Sequence, residues 1–171
     1  VIGILADWRA AQGALKKAAA KTGRSKTGQP LGRTKLRAPV LWPSAIYCAG
    51  ANYADHAAEM ARRMNRPLDP DPHTLGLKAW HFIKGSRALT DPGATVKISD
   101  VSNRVDWEVE LAAVIGRPAK NVPQEKALDY VAGYTIANDL SARDRGNRAN
   151  ISETSPFSDW TKHKTFDGSC P

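Results

Sequence analysis

Cysteine is scarce in this sequence: the 171 residues contain two, Cys48 and Cys170. These two thiols are far apart in the chain and match no metal-ligand spacing. With no secretory signal in these residues, we expect reduced thiols in a cytoplasmic protein. The sequence also lacks an apolar run long enough to cross a bilayer, so no membrane partner is expected.

Acidic residues are also few, 17 against 25 Lys and Arg, which gives a net charge of +8. Such a basic balance is typical of proteins that bind nucleic acid. The whole excess lies within residues 1–37, which hold nine basic residues and one acidic residue, whereas residues 38–171 hold 16 of each. Because the larger part of the chain is neutral, we expect no nucleic-acid partner.

The chain divides into two regions, and its 42% hydrophobic content is that of a globular protein. Apolar residues at helical spacing predict a helix over 4–21, and Gly, Lys and Arg then predict a flexible linker over 23–36. We therefore expect residues 1–37 to be the end of a small N-terminal region plus a basic linker, and residues 38–171 to be the main domain. Since the first residue is not Met and the last follows a stretch that looks structured, we expect a piece of a longer chain.

The main domain shows short strand patterns with few helices between them. The predicted strands cover residues 40–43, 45–50, 79–84, 94–99, 106–116 and 134–138. The predicted helices cover residues 53–64, with Asn52 as the N-cap, and residues 123–131. This pattern predicts an α+β fold that is mainly β.

The most informative stretch runs from Asp106 to Gly116, where acidic residues alternate with large apolar ones before an unbroken apolar run. On a strand, Glu108 and Glu110 share one face, roughly 6.5 to 7 Å apart along the chain, so both can reach one cation. Two carboxylates that close repel each other, so a positive partner is expected. The apolar run predicts that the strand then enters a core. The alternative is the exposed polar face of an amphipathic strand.

Three further side chains add to this pattern. Asp139 follows the strand at 134–138, and a pairing of that strand with the acidic strand would bring a third carboxylate to the same place. Arg143 is suited to hold a carboxylate of a ligand, or alternatively of Asp139 or Asp144. Lys84 ends a strand, where its ammonium is either a partner for a substrate carboxylate or simply solvated.

A histidine and a glutamate share one face of the predicted helix at 53–64. His56 and Glu59 are three residues apart and therefore neighbours on a helix. A carboxylate beside an imidazole orients the ring and stabilises its protonated form, which suits a general base. The alternative is an ordinary surface pair.

Taken together and in order, these motifs resemble those of the fumarylacetoacetate hydrolase family over roughly residues 39–171. The matching stretches are Tyr47 to Glu59, Phe82 to Lys84, Asp106 to Leu111, Tyr130 to Asp144 and Lys164 to Pro171. The resemblance implies a mixed β roll of the type of that family's C-terminal domain, with a few short helices, commonly as a homodimer. It also implies that the catalytic domain at 38–171 is truncated at its C-terminus, because the family continues for several more strands.

The resemblance assigns a role to each candidate residue. Glu108, Glu110 and Asp139 match the three ligands of a divalent cation, usually Mg²⁺, with Mn²⁺ or Ca²⁺ as alternatives. His56 and Glu59 match a catalytic dyad on a helix that closes over the substrate. Lys164 matches a catalytic or oxyanion-stabilising lysine, and Lys84 and Arg143 match groups that bind the substrate.

The implied activity is metal-dependent hydrolysis of a C–C bond in an acylpyruvate or a related 2-oxo acid, as in catabolism of aromatic compounds. Decarboxylation of oxaloacetate, isomerisation and hydration are alternatives within the same family. Less favoured alternatives are a non-catalytic ligand-binding member and a nucleic-acid-binding protein.

Overall fold

The structure is a computed structural model that describes residues 2–22, 29–146 and 159–171. The predicted linker at 23–36 lies partly outside the described residues, and residues 147–158 lie wholly outside them. Within the described part, no helix combines the length and the apolar character that crossing a membrane requires.

Two helices begin the chain, α1 (Ile2–Ala6) and α2 (Trp8–Thr22). They cover the helix predicted over 4–21, with an interruption at Asp7, whose carboxylate accepts a hydrogen bond from the Ala10 N–H at 3.1 Å. A side-chain cap of this kind satisfies one of the free N–H groups at the start of a helix. Helix α2 packs its Trp8 ring against Gly116, where an added Cβ would lie only 2.8 Å from the ring.

Within the described residues, the main domain contains three pairs of antiparallel strands. The strands are β1 (Ile46–Ala49), β2 (His81–Lys84), β3 (Val105–Asp106), β4 (Val109–Ile115), β5 (Val131–Asn138) and β6 (Ser141–Ala142). β1 pairs with β2, β3 with β6, and β4 with β5. Two α-helices complete it, α3 (Ala54–Arg63) and α4 (Trp160–Lys164). Short 3-10 helices cover Leu31–Arg33, Ser86–Ala88, Gln124–Tyr130 and Arg143–Arg145. The predicted α+β class, mainly β, is confirmed.

Several predicted boundaries differ from the structure. Residues 94–99 form no strand, and neither do residues 40–43, where Trp42 has a left-handed φ of 58° that interrupts an extended backbone. Helix α3 is capped by the extended residue Tyr53 instead of Asn52, without a side-chain hydrogen bond at the cap. The acidic strand is broken at residues 107–108, so that Glu108 lies between β3 and β4.

The prediction that the acidic strand runs into a core was wrong for the described residues. Along β4 the large apolar side chains of Val109, Leu111 and Ile115 are 79%, 66% and 54% exposed. Among the described strands, β4 and β5 form a sheet of two strands. No second layer of described residues covers the face of this sheet that carries Val109, Leu111 and Ile115. The largest fully buried side chains among the described residues are instead polar, namely Lys84, Ser141 and Ser169. The best-packed region of this structure is therefore the surroundings of the acidic residues.

Candidate metal centre

Three carboxylates converge where β4 begins and β5 ends. In the antiparallel pairing of these strands, Val109 lies opposite Asn138 and Glu110 opposite Ala137. Asp139, the next residue along, donates its N–H to the Glu108 carbonyl at 2.8 Å. One oxygen each of Glu108, Glu110 and Asp139 lies within 4.8 Å of the others. The structure thus brings together the three predicted metal ligands.

Local backbone geometry places the side chains of Glu108 and Glu110 on the same side of the extended chain. The Glu108 N–H donates to the Asn138 side-chain oxygen at 3.1 Å, which ties the break between β3 and β4 to the end of β5. Glu108 and Glu110 are half-buried, whereas the alternate residues Trp107 and Val109 are exposed. This alternation with a period of two is what the sequence pattern predicted.

Two buried lysines pair with two of the three carboxylates, Glu108 and Asp139. The Lys164 ammonium donates to Glu108 Oε2 at 2.7 Å and to Asp139 Oδ2 at 2.8 Å. Lys84 donates to the other oxygen, Asp139 Oδ1, at 2.5 Å, and also to the backbone carbonyls of Leu140 and Lys164. Burial raises the pKa of Asp139, but hydrogen bonds from the two lysines outweigh it, so the pKa lies below its ordinary value.

The predicted substrate-binding groups hold carboxylates of the protein itself. Lys84 has no exposed surface and forms an ion pair with Asp139. The alternative that its ammonium is simply solvated therefore does not apply. Arg143 forms ion pairs with Asp106, at 3.0 Å, and with Glu108. The Arg143–Asp144 alternative does not occur either, because Ser102 and the Asn103 N–H bind the Asp144 carboxylate. Contact of Lys84 or Arg143 with a substrate stays a prediction.

Glu110 differs from the other two carboxylates, because no ion pair among the described residues reaches it. Burial raises its pKa above the ordinary value, and the nearby negative charges of Glu108 and Asp139 add to that rise, whereas the Tyr53 hydroxyl and the positive charge of Lys164 oppose it. Its oxygens are therefore the ones that most lack a positive partner.

The donor set fits a hard divalent cation. All three side chains offer oxygen, which Mg²⁺, Mn²⁺ and Ca²⁺ prefer over nitrogen or sulfur. Three protein ligands also leave coordination positions for water and substrate. Lys164 would share Glu108 and Asp139 with such an ion, so a cation here competes with an ammonium that already holds both.

The predicted His56–Glu59 dyad is not formed in this structure. The Glu59 carboxylate pairs with Arg63 at 2.5 Å, one helical turn along α3, and no hydrogen bond joins it to His56 within the described ranges. His56 is exposed. A partner at i+4 lies on the same helix face as one at i−3, so Arg63 competes directly with His56 for this carboxylate. The catalytic role of the dyad stays a prediction.

His163 is a buried residue that the sequence analysis did not single out. It is 9% exposed, its ring stacks on Trp160 with centroids 5.5 Å apart, and neither ring nitrogen has a hydrogen-bond partner in the described part. Burial lowers its pKa below the ordinary value, and the positive charges of Lys164 and Arg143 lower it further. The sequence offered no signal for it beyond its position next to Lys164.

Aromatic rings close one side of the centre. Phe82 stacks on Trp160 at a centroid distance of 5.2 Å, and Trp80 lies 5.4 Å from Trp160. The Lys164 ammonium lies 5.2 Å from the centre of the Phe82 ring, within the range of a cation–π contact.

Comparisons with known proteins identify the family of this chain. Residues 45–171 match the family described as the fumarylacetoacetate (FAA) hydrolase C-terminal domain. The mitochondrial oxaloacetate tautomerase fahd2 of Xenopus laevis is 39% identical over 136 residues, which are 80% of this chain and 37% of that protein. The human mitochondrial oxaloacetate tautomerase FAHD2B is 37% identical over 142 residues, 83% of this chain and 40% of that protein. The chain therefore spans less than half the length of these relatives.

Solved structures give the same result. A 5-carboxymethyl-2-hydroxymuconate delta-isomerase from Mycobacterium smegmatis is 35% identical, with a TM-score of 0.62 over 85% of this chain and 51% of that one. A fumarylacetoacetate hydrolase from Exiguobacterium antarcticum is 33% identical, with a TM-score of 0.57 over 79% of this chain and 42% of that one. These relatives are named as enzymes. Because the family match covers well over half of its residues, the chain belongs to the fumarylacetoacetate hydrolase family.

Proposed function

We propose that this chain carries the divalent-metal site of an enzyme that acts on acidic 2-oxo compounds through an enolate. The observation that supports the proposal is the convergence of Glu108, Glu110 and Asp139 within 4.8 Å, beside two buried lysines. Mg²⁺, or Mn²⁺ or Ca²⁺ in its place, would supply Lewis-acid stabilisation of the negative oxygen that develops in the substrate.

The charges of the site favour an anionic substrate. Three cationic side chains, Lys84, Lys164 and Arg143, pair with Asp106 and with two of the proposed ligands, Glu108 and Asp139. With Glu110 included, these groups carry three positive and four negative charges, so a divalent cation changes their sum from −1 to +1. A substrate with one or two carboxylates would offset that excess in surroundings where charges interact strongly.

Lys164 is the side chain best placed to contact the developing charge. Its side chain is 5% exposed, and its ammonium already donates to two of the proposed metal ligands. When those oxygens also bind a cation, the lysine donors become available to a substrate oxygen next to them. A donor that is oriented before the reaction costs no reorganisation, which is how an oxyanion site lowers a barrier.

The first candidate reaction is hydrolysis of an acylpyruvate. His56, oriented by Glu59, would take a proton from a water molecule that attacks the distal carbonyl. The C–C bond then breaks, a carboxylic acid leaves, and the pyruvate enolate takes up a proton. This reaction requires Glu59 to exchange Arg63 for His56 as its partner.

The second candidate is interconversion of the keto and enol forms of oxaloacetate. It is favoured by the relatives named as oxaloacetate tautomerases. This reaction moves one proton between C3 and the 2-oxo oxygen and needs no attacking water. The same metal site serves both candidates, and the dyad on α3 distinguishes them.

The test uses the full-length protein with a panel of acylpyruvates and oxaloacetate, followed by the loss of ultraviolet enol absorbance. We expect turnover with Mg²⁺ that disappears with EDTA, and the preferred compound identifies the reaction. Turnover that is unchanged by EDTA would contradict the metal mechanism. A failure to convert any compound, with Mg²⁺ binding intact, would exclude these two reactions.

A matched pair of variants on α4 tests the role of Lys164. We expect Lys164→Ala to lower kcat by about 10²-fold or more, as for the loss of an oxyanion donor. Lys162→Ala is the control, since the Lys162 side chain is 62% exposed and pairs with Asp159 on the surface. Wild-type kinetics for Lys164→Ala would assign this lysine to the structure.

Assembly and location belong to the same proposal. We expect a homodimer in the cytoplasm, although the frog and human relatives are named as mitochondrial proteins. Light scattering of the purified full-length protein measures its oligomeric state. Microscopy of a tagged full-length protein shows its location in the cell.

A further inference from the structure

Arg143 binds two carboxylates at once, that of the proposed metal ligand Glu108 and that of Asp106. Its Nε and Nη2 groups donate to Asp106 Oδ2 at 3.1 and 3.0 Å, and Nη2 also donates to Glu108 Oε1. Asp106 is not among the three converging carboxylates, and neither the metal nor the substrate assigns it a role. One guanidinium nevertheless links Asp106 to the centre.

The strand pairing explains why one arginine reaches both carboxylates. β3 pairs with β6, with Asp106 opposite Ser141, and the Arg143 N–H continues this pairing by donating to the Arg104 carbonyl at 2.9 Å. Asp106 and Glu108 are two residues apart, so an extended chain directs both side chains to one side. The planar guanidinium carries five N–H donors and can therefore serve both carboxylates.

The Asp106 carboxylate is itself fixed by the backbone. Its other oxygen, Oδ1, accepts a hydrogen bond from the Trp107 N–H at 2.9 Å. Both oxygens are therefore engaged, one by the chain that leads to Glu108 and one by Arg143. A carboxylate held in this way gives the guanidinium a defined orientation, although the Asp106 side chain is 47% exposed.

The contact with Asp106 limits how Arg143 pairs with Glu108. A guanidinium and a carboxylate pair most strongly through two parallel N–H···O bonds. Asp106 holds the Nε–Nη2 edge, so Glu108 receives a single bond from Nη2. The other Glu108 oxygen already accepts from Lys164. A two-bond pairing with Arg143 would leave less of the Glu108 charge for a cation.

We propose that Asp106 is a positioning residue of the metal centre, which holds the Arg143 guanidinium so that Glu108 stays available to a divalent cation. The inference rests on the proposed metal site and goes beyond it, since Asp106 acts through Arg143 instead of binding the metal. Loss of the Asp106 charge frees the Nε–Nη2 edge for Glu108, and a cation then competes with a stronger partner. Groups that orient metal ligands typically contribute about 10–100-fold to metal affinity.

The test measures metal affinity in the full-length protein without any substrate. Isothermal titration with Mg²⁺ compares the wild type with Asp106→Asn, which keeps the shape of the side chain and removes its charge. We expect the dissociation constant to rise by about 10–100-fold. Asp167→Asn is the matched control, because Asp167 accepts from Nε and Nη2 of Arg87 in an exposed pair and is not among the converging carboxylates. We expect this control to bind Mg²⁺ like the wild type.

A variant of the arginine tests whether Asp106 acts through it. Arg143→Met removes the guanidinium, and Asp106→Asn is then added in the same protein. We expect Asp106→Asn to change the Mg²⁺ dissociation constant by no more than about twofold in this background, because no guanidinium is left to restrain. An equal loss of affinity in both backgrounds would assign the effect to the Asp106 charge alone and overturn the positioning role.

A spectroscopic measurement on the wild type does not depend on the folding of any variant. Nitrogen-15 NMR follows the exchange of arginine Nε–H groups with water. We expect the Nε–H of Arg143 to exchange more slowly than that of the exposed Arg62, because Asp106 accepts from it. Equal exchange rates for the two groups would show that Asp106 does not hold the guanidinium, and would overturn the inference.

The outcomes also separate this inference from the proposed function. Wild-type Mg²⁺ affinity in Asp106→Asn would overturn the positioning role and leave the proposed reaction untouched. A loss of affinity in Asp106→Asn that disappears in the Arg143→Met background supports the role even if none of the tested compounds is converted. A wild-type protein that binds no Mg²⁺ would overturn both.

Discussion

The Lys84→Met substitution removes a buried ammonium while keeping an unbranched side chain of similar length. Lys84 ends β2 with no exposed surface. Its three hydrogen bonds go to Asp139 Oδ1, at 2.5 Å, and to the backbone carbonyls of Leu140 and Lys164. The variant therefore leaves a buried carboxylate with less positive charge and two carbonyls without this donor.

The size of the expected loss in unfolding free energy follows from the burial of this ion pair. Removal of one partner of a buried ion pair costs about 3–5 kcal/mol, because the other charge stays in a poorly solvated place. Asp139 is 5% exposed and keeps only Lys164 as a cationic partner within the described residues. For a chain of this size we expect the free energy of unfolding to fall by about 3 kcal/mol, which corresponds to roughly 6–12 °C in Tm.

The assay is urea unfolding followed by circular dichroism, with Tm from calorimetry. Lys162→Met is the matched control, since the 62%-exposed Lys162 forms a surface pair with Asp159 at 3.2 Å, and such pairs contribute about 0–1 kcal/mol. In a double-mutant cycle, Asp139→Asn should relieve much of the cost of Lys84→Met. A cost below about 1 kcal/mol, or strictly additive effects, would refute the reasoning.

Two further substitutions test the dyad and the buried histidine. His56→Ala should abolish acylpyruvate hydrolysis while Mg²⁺ affinity stays at the wild-type value, because His56 is exposed and is not among the converging carboxylates; loss of calorimetric Mg²⁺ uptake would contradict this division of roles. The lowered pKa of His163 means that below about pH 6.5 the unfolded chain takes up a proton that the folded chain does not, so stability falls as pH drops through that range. His163→Phe keeps a ring against Trp160 and should reduce the difference in unfolding free energy between pH 7.5 and 5.5; an equal difference in both proteins would show that His163 does not carry it.

The sequence by itself determined those features that depend on local periodicity. Side chains alternate along an extended chain, so Glu108 and Glu110 were predicted to share a side, as they do despite the break before β4. The helical spacing of apolar residues likewise predicted α2 to within a few residues. The order of the motifs gave the family, because each motif keeps its place in the chain whatever its contacts are.

The tertiary structure alone decided which charges meet and which faces are covered. Lys84 lies 55 residues before Asp139 and 80 before Lys164, and their contact depends on how the chain returns after β5, which no local pattern encodes. For the same reason the sequence did not reveal that Tyr53 reaches β4. The apolar pattern of β4 indicates a face that is suited to burial. Burial requires a second layer of residues against that face, and the described part of the chain does not provide one.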